Sequence, residues 1–224
     1  MSEKSPFIVS SDWLEERLET PGLSIVDGSW YLPAQGRDGR VEYEAAHIPG
    51  AIFFDQDLVV DPESELPHAL PDPVTFQRHV SSMGITRDDT IVVYDGPGLF
   101  SAPRVWWLFR VMGAERVYVL DGGFDRWRAE GRPVTAEPTR IAPSAFMPEF
   151  DESRVATLAE MRRLVETGEA QIADARSPGR FAGKEPEPRP GVRSGHMPGA
   201  LNVPAASLAE NGSLLPLDRL RTRL

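Results

Sequence analysis

Residues 174–204 read DARSPGRFAGKEPEPRPGVRSGHMPGALNVP. The stretch opens at the end of a short apolar run, Gln171-Ile172-Ala173, and closes on another, Ala200-Leu201-Asn202-Val203. Between them stand five arginines or lysines and four prolines before the closing turn, with little apolar surface. A segment of that composition cannot build a core. It reads as a loop presented at the end of a sheet, where loops usually carry function. A second version of the pattern lies earlier. Asp27 ends the apolar run Leu23 to Val26, a polar loop follows, and His47-Ile48-Pro49-Gly50-Ala51 leads into Ile52-Phe53-Phe54. In the later version His196-Met197-Pro198-Gly199-Ala200 leads into Leu201-Asn202-Val203. The strand-end aspartates are 147 residues apart and the histidines 149; Leu18-Glu19-Thr20 and Val165-Glu166-Thr167 are again 147 apart. A period that long points to two homologous domains, not to a solenoid of short units.

Composition narrows the function classes. A chain of 224 residues with 41% hydrophobic and 26% charged residues is an ordinary globular protein of one large or two modest domains. A net charge of −10 argues against nucleic acid or an anionic membrane as partner, because phosphate binding needs a basic face. No apolar run approaches the roughly 20 residues of a membrane span. The start, MSEKSPF, lacks the apolar core of a signal peptide, so the cytoplasm is the expected setting. There is no cysteine, which rules out disulfides, zinc–thiolate sites and a cysteine nucleophile among these residues.

Along the chain, Ser10 to Asp12 caps a helix over Trp13 to Leu18, and Pro21-Gly22 stops it before the strand Ser24 to Asp27. Val41 to Ala46 reads as a short helix ending at His47, followed by a strand over Ala51 to Phe54. His47 and His196 at helix ends are expected to donate to the last carbonyls, a structural role in preference to catalysis. Asp55 to Leu70 is a long acidic loop and Pro73 to Met83 a helix. Thr90 to Tyr94 (TIVVY), β-branched and uninterrupted, suits a central parallel strand. It feeds the loop Asp95 to Ser101, a helix over Ala102 to Met112, a strand over Val117 to Leu120 and a helix over Phe124 to Glu130. This alternation predicts an α/β fold with a parallel sheet covered by helices on both faces. The Asp95 loop has backbone donors that suit an anion, but Asp95 sets a negative charge at its mouth, so it is read as structural or inter-domain. Residues 1–135 form the first expected domain, the proline-bearing stretch 136–153 a linker, and 154–224 the second. By the repeat offset Leu224 corresponds to about residue 75 of the first copy. The second domain is therefore expected to be incomplete, and the chain to be part of a longer protein.

These residues resemble a family. VVYDGPGLFSAPRVWWLFRVMG followed by VLDGGFDRW resembles the non-catalytic first domain of tandem rhodanese-type sulfurtransferases, where aspartate stands in place of cysteine. Residues 174–204 resemble the opening of the catalytic second domain. The resemblance covers essentially the whole chain and implies an active cysteine on a loop beyond it. It implies an enzyme that takes sulfur from 3-mercaptopyruvate through a cysteine persulfide and passes it to cyanide or a thiol, such as that of a thioredoxin. No metal or organic cofactor is implied. Thiosulfate as donor is the alternative, and an inactive rhodanese-like binding module another.

Arginines in GRF and EPR, here Arg180 and Arg189, imply a mercaptopyruvate-type substrate site. A planar α-keto carboxylate suits guanidinium forks. The bland alternative is that both arginines pair with Glu185 and Glu187 on a solvated loop. The resemblance also implies a proton-handling role for Asp57 and His68 in the acidic loop. Without it, His68 reads as a solvated histidine among Asp61, Glu63, Glu65 and Asp72, or as a weak metal ligand.

Overall fold

A computed structural model describes residues 5–188 and 191–223. The chain divides into two compact units, one of residues 5–152 with 211–214 and one of residues 153–210 with 215–224. The elements of the first unit are β1 (Ile8–Val9), α1 (Ser11–Glu15), β2 (Leu23–Asp27), α2 (Gly39–Ala45), β3 (Ala51–Phe53), α3 (Pro73–Ser82), β4 (Thr90–Tyr94), α4 (Ala102–Val111), β5 (Val117–Leu120) and α5 (Gly123–Ala129). The strands form one sheet in the order β1-β5-β4-β2-β3, with every neighbouring pair parallel. β4 lies at its centre, as its unbroken β-branched run requires, with Ile25 opposite Val92 and Val93 opposite Val119.

Alternate residues of β4 feed two cores. Ile91 and Val93 pack with Phe76 and Val80 of α3 and with Val105, Leu108 and Phe109 of α4. Val92 and Tyr94 pack with Leu14 of α1 and with Phe124 and Trp127 of α5, and Tyr43 of α2 borders this second core. Side chains that alternate across a strand can fill both faces only when both are apolar, and TIVVY meets that condition. The expected doubly covered parallel sheet is present. Capping sets the helix starts. Asp38 accepts from the Arg40 and Val41 N–H groups, and Asp72 from Val74 and Thr75 ahead of Pro73.

The proline-bearing stretch read as a linker packs along the first unit. Phe146 is fully buried in the α3–α4 core, 5.4 Å from the Phe76 ring and 6.1 Å from that of Phe109. Ser144 donates to the Ile85 carbonyl at 2.6 Å, and Thr139 to the Ala51 carbonyl at 2.6 Å.

The second unit contains α6 (Leu158–Thr167), β6 (Ala173–Asp174), α7 (Pro178–Phe181) and β7 (Leu201–Asn202); β8 (Ala209–Glu210), β9 (Ser213–Leu214) and α8 (Leu217–Arg223) follow in the chain. α6 opens on a capping box of Thr157 and Glu160 and closes on Gly168, whose φ of 66° is the left-handed value that glycine tolerates. β6 and β7 are parallel, with Asp174 opposite Asn202. The pairing repeats that of β2 and β3, where Asp27 lies opposite Phe53. β2 also pairs with β4 on its other side, whereas β6 is paired on one side only among the described residues.

Candidate functional site

The repeat seen in the sequence is a repeat of anchors. Asp27 Oδ1 accepts the Ser29 N–H at 2.9 Å, and Asp174 Oδ1 the Arg176 N–H at 3.0 Å, so each aspartate turns the chain at the end of its strand. His47 Nδ1 donates to the Tyr43 carbonyl at 2.7 Å and stacks on the Tyr43 ring. His196 Nδ1 donates to the Phe181 carbonyl at 2.8 Å and stacks on the Phe181 ring. Both histidines tie a short helix to the strand that follows, the structural role expected of them.

The first cluster of expected site residues lies in the loop after β3. Buried Gln56 donates to the Gly28 carbonyl at 2.7 Å, and buried Val59 pins the loop to the core. Between them Asp57 points out, its side chain 66% exposed. His68 returns to it, with Nε2 2.8 Å from Asp57 Oδ1. His68 has a φ of 56°, left-handed and uncommon outside glycine, and Arg104 holds its carbonyl. Trp30, which the sequence did not single out, donates Nε1–H to both Asp57 oxygens at 3.2 Å. A depression of about 290 Å³ opens beside them, lined by Trp30, Arg37, Arg40, Asp55 and Asp57 among others. Among the described residues no three His, Asp or Glu gather closely enough to hold a metal ion.

Asp95 corrects the expectation of a charge at the mouth of its loop. The carboxylate turns inward and is fully buried. It accepts four backbone N–H groups, from Gly98 at 2.6 Å, Phe100 at 2.8 Å, Ser101 at 2.6 Å and Ala102 at 2.8 Å. The anion cradle at the start of α4 exists, and the chain's own side chain fills it.

The second cluster sits on α7, whose Ser177 cap and Pro178 start the turn that carries Arg180. Arg180 does pair with Glu187, through Nε at 3.0 Å and through Nη2. Glu187 is no solvated surface acid: its side chain is 4% exposed, and its other oxygen takes Arg176 Nη1 at 2.7 Å. The two guanidiniums, Arg180 first, hold its carboxyl below the usual range. Arg176 in turn grips Asp174 and the Gly195 carbonyl, and it holds the Asp174 carboxyl low. Glu185 accepts the Ser177 hydroxyl instead. Arg180 stays 30% exposed. Arg189 lies outside the described residues. Glu187 was expected only as a solvated partner, and Arg176 was not singled out; the one available signal for Arg176 was that it follows Asp174 by the same two residues as Ser29 follows Asp27.

Comparison with known proteins decides the family. The rhodanese-like domain family matches residues 10–130. The chain belongs to the rhodanese family. It is 42% identical to thiosulfate/3-mercaptopyruvate sulfurtransferase 1, mitochondrial, of Arabidopsis thaliana over 96% of this chain and 63% of that protein. It is 43% identical to a thiosulfate sulfurtransferase of Cricetulus griseus over 96% of this chain and 74% of that one. The structure superposes on that of a 3-mercaptopyruvate sulfotransferase from Escherichia coli with a TM-score of 0.90 at 36% identity, covering 97% of this chain and 82% of that one. The rhodanese chain thus has the tandem fold of these sulfurtransferases and spans about two thirds of the plant relative's length. Among its described residues no helix is long and apolar enough to cross a membrane.

Proposed function

We propose that the protein containing these residues moves sulfur from 3-mercaptopyruvate, through a cysteine persulfide, to a thiol or cyanide. The observation that carries this reading is the Asp57–His68 hydrogen bond of 2.8 Å. A thiolate that takes sulfur from thiosulfate expels sulfite, a stable anion that needs no proton. A thiolate that takes sulfur from 3-mercaptopyruvate breaks a carbon–sulfur bond, and the departing enolate must gain a proton to become pyruvate. A proton carrier therefore has work only with the second donor. With Asp57 as acceptor, His68 carries its proton on Nε2 and offers the Nδ1 lone pair, which takes the donor's thiol proton and returns it to the enolate carbon.

Arg180, oriented by the Glu187 fork, is the residue proposed to hold the donor's carboxylate, with Arg189 as its second guanidinium. The nucleophile is not among these residues, which contain no cysteine. The thiosulfate reading draws support from the rodent relative of that name. A thiol protein such as a thioredoxin is the proposed acceptor. A cytoplasmic setting is part of the proposal too; the plant relative's name is mitochondrial, and fractionation of the producing cell decides it.

The test is made on the product of the whole reading frame that contains these residues, following pyruvate release. Asp57→Asn lowers kcat with 3-mercaptopyruvate while leaving turnover of thiosulfate nearly unchanged. Arg180→Ala raises KM for 3-mercaptopyruvate by about tenfold to a hundredfold, the scale of a hydrogen bond to a charged group. Equal losses with both donors in Asp57→Asn, or a wild-type KM in Arg180→Ala, defeat the reading.

A further inference from the structure

The geometry points to Trp30 as the positioning residue for the Asp57–His68 pair, an inference that rests on the proton-handling role proposed above. Asp57 is 66% exposed, whereas His68 is only 16% exposed. A carboxylate that wet finds water in any rotamer, and one hydrogen bond to an imidazole holds it weakly. Trp30 adds the missing constraint. Its indole N–H lies 3.2 Å from each Asp57 oxygen, so it donates into the fork between them and fixes the carboxylate plane. Its ring meets the imidazole edge-on, with centroids 4.7 Å apart and planes at 85°. One side chain therefore sets both the acceptor and the ring it accepts from.

Trp30 is itself fixed from behind. Its backbone N–H donates to Ser101 Oγ at 3.0 Å, and that hydroxyl donates to the Gly28 carbonyl at 2.8 Å. The same carbonyl takes Gln56, the residue before Asp57, at 2.7 Å. The Ser101 N–H is in turn one of the four donors on Asp95. The plugged cradle at the start of α4 thus serves as the footing of a hydrogen-bond relay that ends on Asp57 and His68. Held in this way, Asp57 selects the Nε2–H tautomer of His68 and leaves Nδ1 as the free base.

The experiment reads that tautomer directly, by long-range proton–nitrogen NMR of the His68 ring in the 224-residue chain, at about pH 8–9 where an ordinary histidine is neutral. The wild-type ring is expected to be overwhelmingly Nε2–H. Trp30→Phe keeps an aromatic ring and removes the donor, and the Nε2–H to Nδ1–H ratio is expected to fall about tenfold, equal to about 1.4 kcal/mol. Ser101→Ala leaves the indole and removes the hydroxyl behind it, and it moves the ratio the same way by less. An unchanged ratio in Trp30→Phe overturns the inference; should that variant fail to fold, an unchanged ratio in Ser101→Ala does so. Asp57→Asn separates the two levels of the reading. If it leaves the wild-type ratio in place, Asp57 does not set the tautomer and the proton-handling role fails first.

Discussion

Replacing Asp95 by alanine removes one buried carboxylate from four backbone donors at once, two of them buried and two partly buried. Those of Gly98, Phe100, Ser101 and Ala102 all lie within 2.8 Å of its oxygens. Each bond to a charged acceptor is worth about 1.5–3 kcal/mol, and a buried donor left unpaired costs about 1–3 kcal/mol. Two effects reduce the sum. The wild-type carboxylate is itself desolvated, and a loop of this kind admits water once its plug is gone. Four bonds at that scale come to about 6–12 kcal/mol, and discounting by half leaves a loss of about 3–6 kcal/mol, a large share of the roughly 5–15 kcal/mol that stabilises a domain. Asp95→Asn is expected to lose less: its amide oxygen can serve the three donors on Oδ2 but sets an NH₂ group against the Gly98 N–H. Urea unfolding followed by tryptophan fluorescence measures both variants. An Asp95→Ala protein within about 1 kcal/mol of wild type would refute the reasoning, because these four bonds cannot then be what holds the loop.

Asp27 supplies a pH test: burial pushes its carboxyl up from 3.8 to about 6. The folded state then binds the proton more tightly than the unfolded one, so this group's contribution is present below about pH 4 and is lost as pH rises through about 6, by at most about 3 kcal/mol. The difference in unfolding free energy between wild type and Asp27→Asn should change by that amount between about pH 4 and 7, and a flat difference excludes the shift. Phe146→Ala should cost about 3–5 kcal/mol in urea unfolding of the first unit, whereas a segment that only connects domains would show almost none. Glu187→Gln should release Arg180, moving and broadening its Nε–H resonance in NMR; an unmoved resonance would mean that Glu187 does not orient it.

What was legible in the sequence was what the backbone requires. Asp27 and Asp174 recur because strand-end turns need the same local bond in both copies, and His47 and His196 recur because each ties a short helix to the strand that follows, over four residues in one copy and fifteen in the other. β4 was legible because five β-branched or aromatic residues in a row suit only a strand buried on both faces. The partner of Trp30 was not, since Asp57 is 27 residues away, and neither was the second arginine on Glu187, Arg176, nor the burial of that carboxylate, because both depend on how a proline-rich loop folds back. Asp95 was read as a charge facing out because sequence gives a side chain's type and not its rotamer. Phe146 was missed for a related reason: a lone aromatic among prolines has no period, yet a core with a gap of its size will take it.

Steady-state kinetics of the whole gene product decide which sulfur donor it uses. With the same acceptor thiol, kcat/KM is measured for 3-mercaptopyruvate and for thiosulfate. The value for 3-mercaptopyruvate is expected to be at least about a hundredfold higher, since Arg180 and the Asp57–His68 pair each favour that donor by about one hydrogen bond or more. Equal values, or a preference for thiosulfate, would contradict it.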